Sequence, residues 1–231
     1  NGDEDDAWRA FQRALDAGLP LERFLAGPRE YLQPLHADSR FRELTDEAVL
    51  VHGPMLGCLS DDSVRIWVRT AVPADVEVFA NHPQDVGNSS SGRAASNRKS
   101  DYTAVVELTG LTPATEYNFQ LHIISDTVQA ISEGTFRTYP RKGQPARFQI
   151  AFGGGALFSP QNERMWDVIA GREPAACFLL GDNVYIDLPE EAGPLHDYTY
   201  YRRQSRPEFR RLAASTPIYA IWDDHDCAID D

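Results

Sequence analysis

Ala175-Ala176-Cys177-Phe178-Leu179-Leu180-Gly181-Asp182-Asn183-Val184-Tyr185 decides how the second half of the chain is read. Ala175 to Leu180 is a continuous apolar run, which suits a parallel strand covered on both faces. A strand candidate, Phe148 to Phe152, precedes it. Between the two, Ser159-Pro160 is expected to open a helix that carries Met165, Trp166 and Ile169 inward and ends at Gly171. Strand, helix, strand is the unit that builds parallel sheets. A further helical stretch, Tyr198 to about Ala214, leads to a last apolar run, Ile218 to Trp222. The expected topology here is α/β.

Ligands of open α/β sheets bind beyond the carboxyl ends of the strands. Gly153-Gly154-Gly155 follows the first strand candidate, Gly181-Asp182-Asn183-Val184-Tyr185-Ile186-Asp187 the second, and Asp223-Asp224-His225-Asp226 the third. Five carboxylates and one imidazole crowd into residues 223–231, and like charges that close repel unless a cation sits among them. Helix capping by Asp182 or Asp224 is the structural alternative. A shared metal accounts for both acidic strand ends at once. Carboxylate and imidazole ligands suit a pair of hard or borderline ions, the arrangement used for in-line displacement at phosphorus. Tyr185 is either a phenolate ligand or an ordinary core tyrosine. His225 is a candidate to protonate a leaving group, with Asp226 or a backbone carbonyl fixing its tautomer. The Gly-Gly-Gly stretch lacks the Lys and Ser/Thr of a nucleotide-binding P-loop.

Upstream, Tyr139-Pro140-Arg141-Lys142-Gly143-Gln144-Pro145 can continue neither strand nor helix and marks a domain boundary. From about Val49 to Thr138 the apolar period is two. Val64 to Arg69, Val76 to Phe79 and Tyr117 to Ile123 alternate as strands, separated by turn-forming clusters that include the polar loop Asn88 to Gly92. Short, closely spaced strands predict a β-sandwich. Asn88-Ser89-Ser90 fits a glycosylation sequon but reads as a polar loop. His52, His82 and His122 are isolated from one another and read as solvated or satisfied strand residues.

Residues 1 to about 47 read as a helical lead-in. One helix, capped by Asp5 or Asp6, presents Trp8, Phe11, Ala14 and Leu15 on one face for docking onto a neighbouring domain and stops at Gly18 and Pro20. A second, Leu21 to Ala26, stops at Gly27-Pro28.

An apolar fraction of 42% with 25% charged residues is that of a globular chain, and 231 residues suffice for two domains. The formal net charge of −13 argues against non-specific nucleic-acid binding. It leaves a phosphorylated substrate open, since bound cations invert the local field. No transmembrane run and no signal peptide are present, so the chain is expected to be cytosolic or already processed. Cys58, Cys177 and Cys227 are too few for a disulfide framework, although one pair is compatible with the count. Arg202, Arg203, Arg206, Arg210 and Arg211 form the basic cluster of an acidic chain, either a phosphate-binding group or a solvated helix face.

Gly181-Asp182-Asn183-Val184-Tyr185, the run Tyr200-Tyr201-Arg202-Arg203 through Phe209-Arg210, and Ile221-Trp222-Asp223-Asp224-His225-Asp226 together resemble the blocks of the alkaline phosphatase D (PhoD-like) family. Leu108 to Tyr117 resembles the E-to-F corner of fibronectin type III domains, where a tyrosine hydrogen-bonds back to the main chain. That family carries a fibronectin-like domain in the same place. The resemblance covers about residue 49 to the end; after the helical segment 1–47 it implies 48–140 as a β-sandwich and 146–231 as the incomplete first half of an α/β metallophosphoesterase domain. It implies hydrolysis of small phosphate monoesters or diesters by a metal-bound hydroxide, in an exported protein.

The resemblance further implies Asp182 bridging two metals, Tyr185 on Fe(III), Asp223 and Asp224 as ligands, His225 and Asp226 in catalysis, and Arg202 and Arg203 on substrate. Fe(III) with Ca is the implied pair, with Mn, Mg or Zn as alternatives. Two departures stand out. Gly155 lies where better-known members carry a cysteine ligand; Cys227 is either a substitute for it or, as the behaviour of free cysteine favours, a small half-buried thiol beside the site. The family also draws further Asp and His ligands from later strands, so this segment alone is expected to be inactive. The competing expectation is a β-sandwich binding module with an inert α/β segment.

Overall fold

The computed structural model describes residues 2–27, 29–82, 84, 89–126, 129–186 and 194–226. The lead-in begins with α1 (Gly2–Asp16), whose first turn carries Asp3, Glu4 and Asp5, where carboxylates favour the positive end of the helix dipole. Then come α2 (Glu22–Leu25), α3 (Gln33–Ala37) and α4 (Ser39–Glu47). The last two exceed the two helices expected. Gln33-Pro34 reads as a break, but proline in a first helical turn forfeits no hydrogen bond. Asp38 caps α4 by accepting from Arg40 N at 2.8 Å. Phe11, Leu25, Leu35 and Phe41 pack with Val51, Ala71 and Tyr201, so the helices dock as expected, with Trp8 at the margin. Pro28 lies outside the described residues.

Two antiparallel sheets follow. One has the order β1 (Leu50–Gly57), β2 (Ser63–Thr70), β5 (Thr103–Thr109). The other has the order β4 (Ser89–Ser96), β3 (Ala74–Asn81), β6 (Glu116–Ile124), β7 (Gln129–Arg137). Period two in the sequence becomes one buried face per strand: Val64, Ile66 and Val68 of β2 meet Val76 and Val78 of β3 and Tyr117, Phe119, Leu121 and Ile123 of β6. The corner before β6 closes as a tyrosine corner: Thr112 N donates to Tyr117 Oη at 2.9 Å.

Residues 89–92, expected to be loop, begin β4 instead, paired with β3 from Asn81↔Ser89 to Ala74↔Ser96. Small residues are an asset on this edge. A Cβ on Gly92 would lie 2.5 Å from Glu107 O, so only glycine lets the two sheets approach there. Asn88 lies outside the described residues.

Residues 138–149 form neither strand nor helix. Beyond them, β8 (Ile150–Gly153), β9 (Ala176–Leu180) and β10 (Ile218–Ile221) make a parallel sheet in the order β10, β9, β8. The helices are α5 (Met165–Ala170), α6 (Pro194–Gln204) and α7 (Pro207–Ala213). The helix expected to open at Ser159-Pro160 begins only at Met165, after a turn in which Ser159 O accepts from Asn162 N and Glu163 N. The expected 198–214 helix is two helices, parted where Pro207 starts α7.

The sequence reading expects the parallel strands to be covered on both faces; the described residues pack one of them. Trp166, Cys177, Phe209, Leu212 and Ala213 form the core under one face. On the other, Ile150, Phe152, Leu180 and Ile221 are open, Phe152 to 70%. An unbroken apolar run records that both faces are apolar, not which segment covers them. No described helix is long and apolar enough to cross a membrane.

Candidate metal centre

The carboxyl ends of β9 and β10 bring the two acidic stretches together. After Leu180 the chain turns through two left-handed residues, Gly181 (φ +99°) and Asp182 (φ +50°). Glycine is required at the first, because a Cβ there would lie 2.6 Å from Asp223 Cβ. The second is a non-glycine residue in a sparsely populated conformation, the kind of strain that collects at functional sites. After β10, Trp222-Asp223 leads into a single 3₁₀ turn, Asp224–Asp226. As a result Asp182, Asp223 and Asp224 each place a carboxylate oxygen within 4.8 Å of the others.

Asp182 is the inner member. Its Oδ1 is shut off from solvent and accepts no hydrogen bond from the described residues, while Oδ2 receives the Tyr185 hydroxyl at 3.5 Å. A buried carboxylate oxygen without a donor is costly unless a cation faces it. The donor set is all oxygen and fits a hard divalent or trivalent ion. Tyr185 lies against His225, ring centroids 4.3 Å apart. A Cβ on Gly155 (φ +68°) would come within 3.6 Å of the Tyr185 hydroxyl, so the position where the resemblance implied a cysteine borders this group.

Two expected site residues have other partners. Asp226 is buried, and its carboxylate accepts from Asn183 N (3.0 Å), Val184 N (3.3 Å), Asp223 N (3.0 Å) and Asn183 Nδ2 (3.2 Å). It stitches the two acidic loops together. Arg203, expected on substrate, is only 6% exposed. It donates to Asn183 O and Ala156 O and pairs with the fully buried Glu163 at 3.2 Å. With Nε, Nη2 and one Nη1 bond directed to groups inside the protein, little of the fork remains for phosphate.

Arg202 differs from its neighbour. It is half-buried and lies over the Phe158 ring at 4.5 Å; its Nε meets no acceptor among the described residues, and burial lowers its pKa. The remaining arginines disperse: Arg206 pairs with Glu208, Arg210 with Glu22, and Arg211 with Asp167. Glu163 went unread because Asn162-Glu163-Arg164 has the composition of a solvated turn. Cys58 and Cys177 are free thiols, and Cys227 and Asp187 lie outside the described residues.

The fold class is thus a helical lead-in, a fibronectin-like β-sandwich and an α/β part with a parallel sheet. A family model described as a domain of unknown function, DUF7800, matches residues 47–140. No curated protein matches the chain significantly. Among solved structures, "Structure of PhoD" superposes with a TM-score of 0.62 at 17% identity, over 74% of this chain and 38% of that one. The chain therefore spans 38% of the PhoD structure's length and has a PhoD-like fold. A fibronectin type III domain derived from the human KIAA0970 protein aligns over 48% of the chain at 12% identity, with a TM-score of 0.34.

Proposed function

We propose that this chain belongs to a metal-dependent hydrolase of phosphate monoesters or diesters, of the alkaline phosphatase D type and exported from the cell. The observation that carries the reading is the enclosed, unpartnered Oδ1 of Asp182, facing a site it shares with Asp223 and Asp224 at the carboxyl end of a parallel sheet. Those three aspartates would hold the ions, with Tyr185 as a further oxygen ligand. Ions bound there would supply Lewis acidity and activation of water, the chemistry two-metal sites bring to phosphoryl transfer. Iron with calcium is the proposed pair, with Mn, Mg or Zn as alternatives.

The chain's own residues do the rest. Three clustered carboxylates repel a phosphate dianion until cations offset them, so substrate binding is coupled to metal loading. His225, against Tyr185, is the proposed proton donor to the leaving group. Arg202, with its enclosed Nε, is the proposed phosphate contact.

Residues 1–47, 48–140 and 146–231 are proposed as the helical segment, the sandwich and part of the catalytic domain. The open apolar face of the parallel sheet supports further α/β elements completing that domain in the whole protein.

The test is hydrolysis of p-nitrophenyl phosphate and of its bis-ester by the full-length protein, with Fe, Ca, Mn, Mg or Zn and metal analysis alongside. Asp182→Asn is expected to abolish metal content and turnover together. Turnover retained by that variant removes Asp182 from the mechanism, and no turnover with any of these metals rejects the hydrolase reading.

A further inference from the structure

The loop that carries Asp182 is gripped from both sides at the next residue. On one side, Asn183 N and Nδ2 donate to the buried carboxylate of Asp226, whose own carbonyl accepts from Tyr200 Oη at 3.2 Å. On the other, Asn183 O accepts from Arg203 Nη1. Arg203 Nη2 also reaches Ala156 O, at 2.5 Å, in the loop after β8. Behind the guanidinium, Glu163 accepts from Arg203 Nε (3.3 Å) and Nη2 (3.2 Å), and from Trp166 Nε1 (2.8 Å).

A buried ion pair is weak evidence for stability, because desolvation of the two charges offsets their attraction. This one needs another explanation, and its free donors supply it. They end on the carbonyls of two different strand-end loops, one of which holds Asp182 at φ +50°. A non-glycine residue stays there only where its surroundings over-determine it.

We propose that the Glu163–Arg203 pair is a positioning device for the metal centre. Glu163 fixes the guanidinium plane, and the guanidinium holds the 156 and 183 carbonyls so that Asp182 faces Asp223 and Asp224. The inference rests on the metal reading above. Outer residues that orient ligands typically contribute about tenfold to a hundredfold in metal affinity.

The test is Mn²⁺ titration of the full-length protein, with hydrogen exchange at the Asn183 and Val184 amides. The double variant Arg203→Met with Glu163→Gln removes both charges, keeps an acceptor for Trp166 Nε1 and deletes the donors to both loops. Expected are a folded protein, faster exchange at the two amides, and Mn²⁺ affinity weaker by about tenfold or more. Should the double variant fail to fold, Arg203→Lys gives the same reading: it keeps the charge opposite Glu163, but one ammonium cannot span both carbonyls. Wild-type affinity in a folded variant overturns the inference, whatever the amides do. A wild-type protein that takes up no Mn²⁺ under conditions where other metals also fail overturns the metal reading and this inference with it.

Discussion

The β-sandwich and the parallel sheet are built from similar apolar strands, yet one closes on itself and the other does not. In the sandwich the inward residues of β2, β3 and β6 join one buried core shared by both sheets, with Phe79, Val105 and Ile131 as the large apolar residues left outside. In the parallel sheet the face toward α5 and α7 is packed, while the opposite face leaves Ile150, Phe152, Leu180 and Ile221 bare. The difference teaches where stability and function separate. The sandwich is a finished two-layer unit that can anchor the helices and, through Arg210 to Gly53 O and Tyr139 to Ala175 O, the α/β part. The parallel sheet gathers its acidic loop ends at one edge and leaves one apolar face open among the described residues.

The comparison is sharpened most by the same substitution in both regions. Phe119 is 1% exposed and fills the space over Gly134, whose absent Cβ would lie 2.4 Å from the ring. Phe119→Ala is expected to lower stability by about 3–5 kcal/mol in urea unfolding. A loss below about 1 kcal/mol would break the picture of a tightly closed sandwich.

Next in size is an acid-sensitive contact where the sandwich meets α6. His52 sits 3.0 Å from both Arg69 Nη1 and Ser205 Oγ. Burial first, then the charges of Arg69 and Arg210, lower its pKa from 6.5 to about 3. The folded protein therefore keeps His52 neutral where the unfolded chain binds a proton. Its contribution is whole above pH 6.5 and is lost as pH falls toward 3, at roughly 1.4 kcal/mol per pH unit. Unfolding curves at about pH 7 and about pH 5 should differ by around 2 kcal/mol from this group, and His52→Gln should flatten that stretch. An equally steep profile in the variant would assign the acid sensitivity elsewhere.

Tyr117→Phe removes the corner hydrogen bond while keeping the ring stacked on Phe136, and should lower stability by about 1 kcal/mol. The smallest effect is expected at the open face. Phe152→Ala should change stability by less than about 0.5 kcal/mol in this chain and reduce its self-association in light scattering. A loss as large as that of Phe119→Ala would show the face to be covered already.

Local pattern carried much of this protein. Alternation in Val64 to Arg69 and Tyr117 to Ile123 is a consequence of the pleat, and the apolar runs 175–180 and 218–222 each stop at an acidic, turn-forming stretch that marks a strand end here. Asp182, Tyr185, Asp223 and Asp224 were legible as a group for that reason. Two things were not. The Ser89–Ser96 strand has no strand composition and exists because β3 offers it a ladder and Gly92 lets the sheets approach. Glu163 looks like a surface acid until Arg203 is placed beside it.

Arg203, expected at substrate, and Asp226, expected beside His225, both bond to groups of the strand-end loops. A sequence gives the charge of a side chain but not the direction in which it is buried. By itself the chain determined its strands, its corner tyrosine and the acidic character of two strand ends, all of which depend on residues within a few positions of one another. Only the tertiary structure decided that residues 182, 223 and 224 share a space of a few ångströms, which arginine faces inward, and which face of the parallel sheet is left bare, because each depends on groups separated by tens of residues.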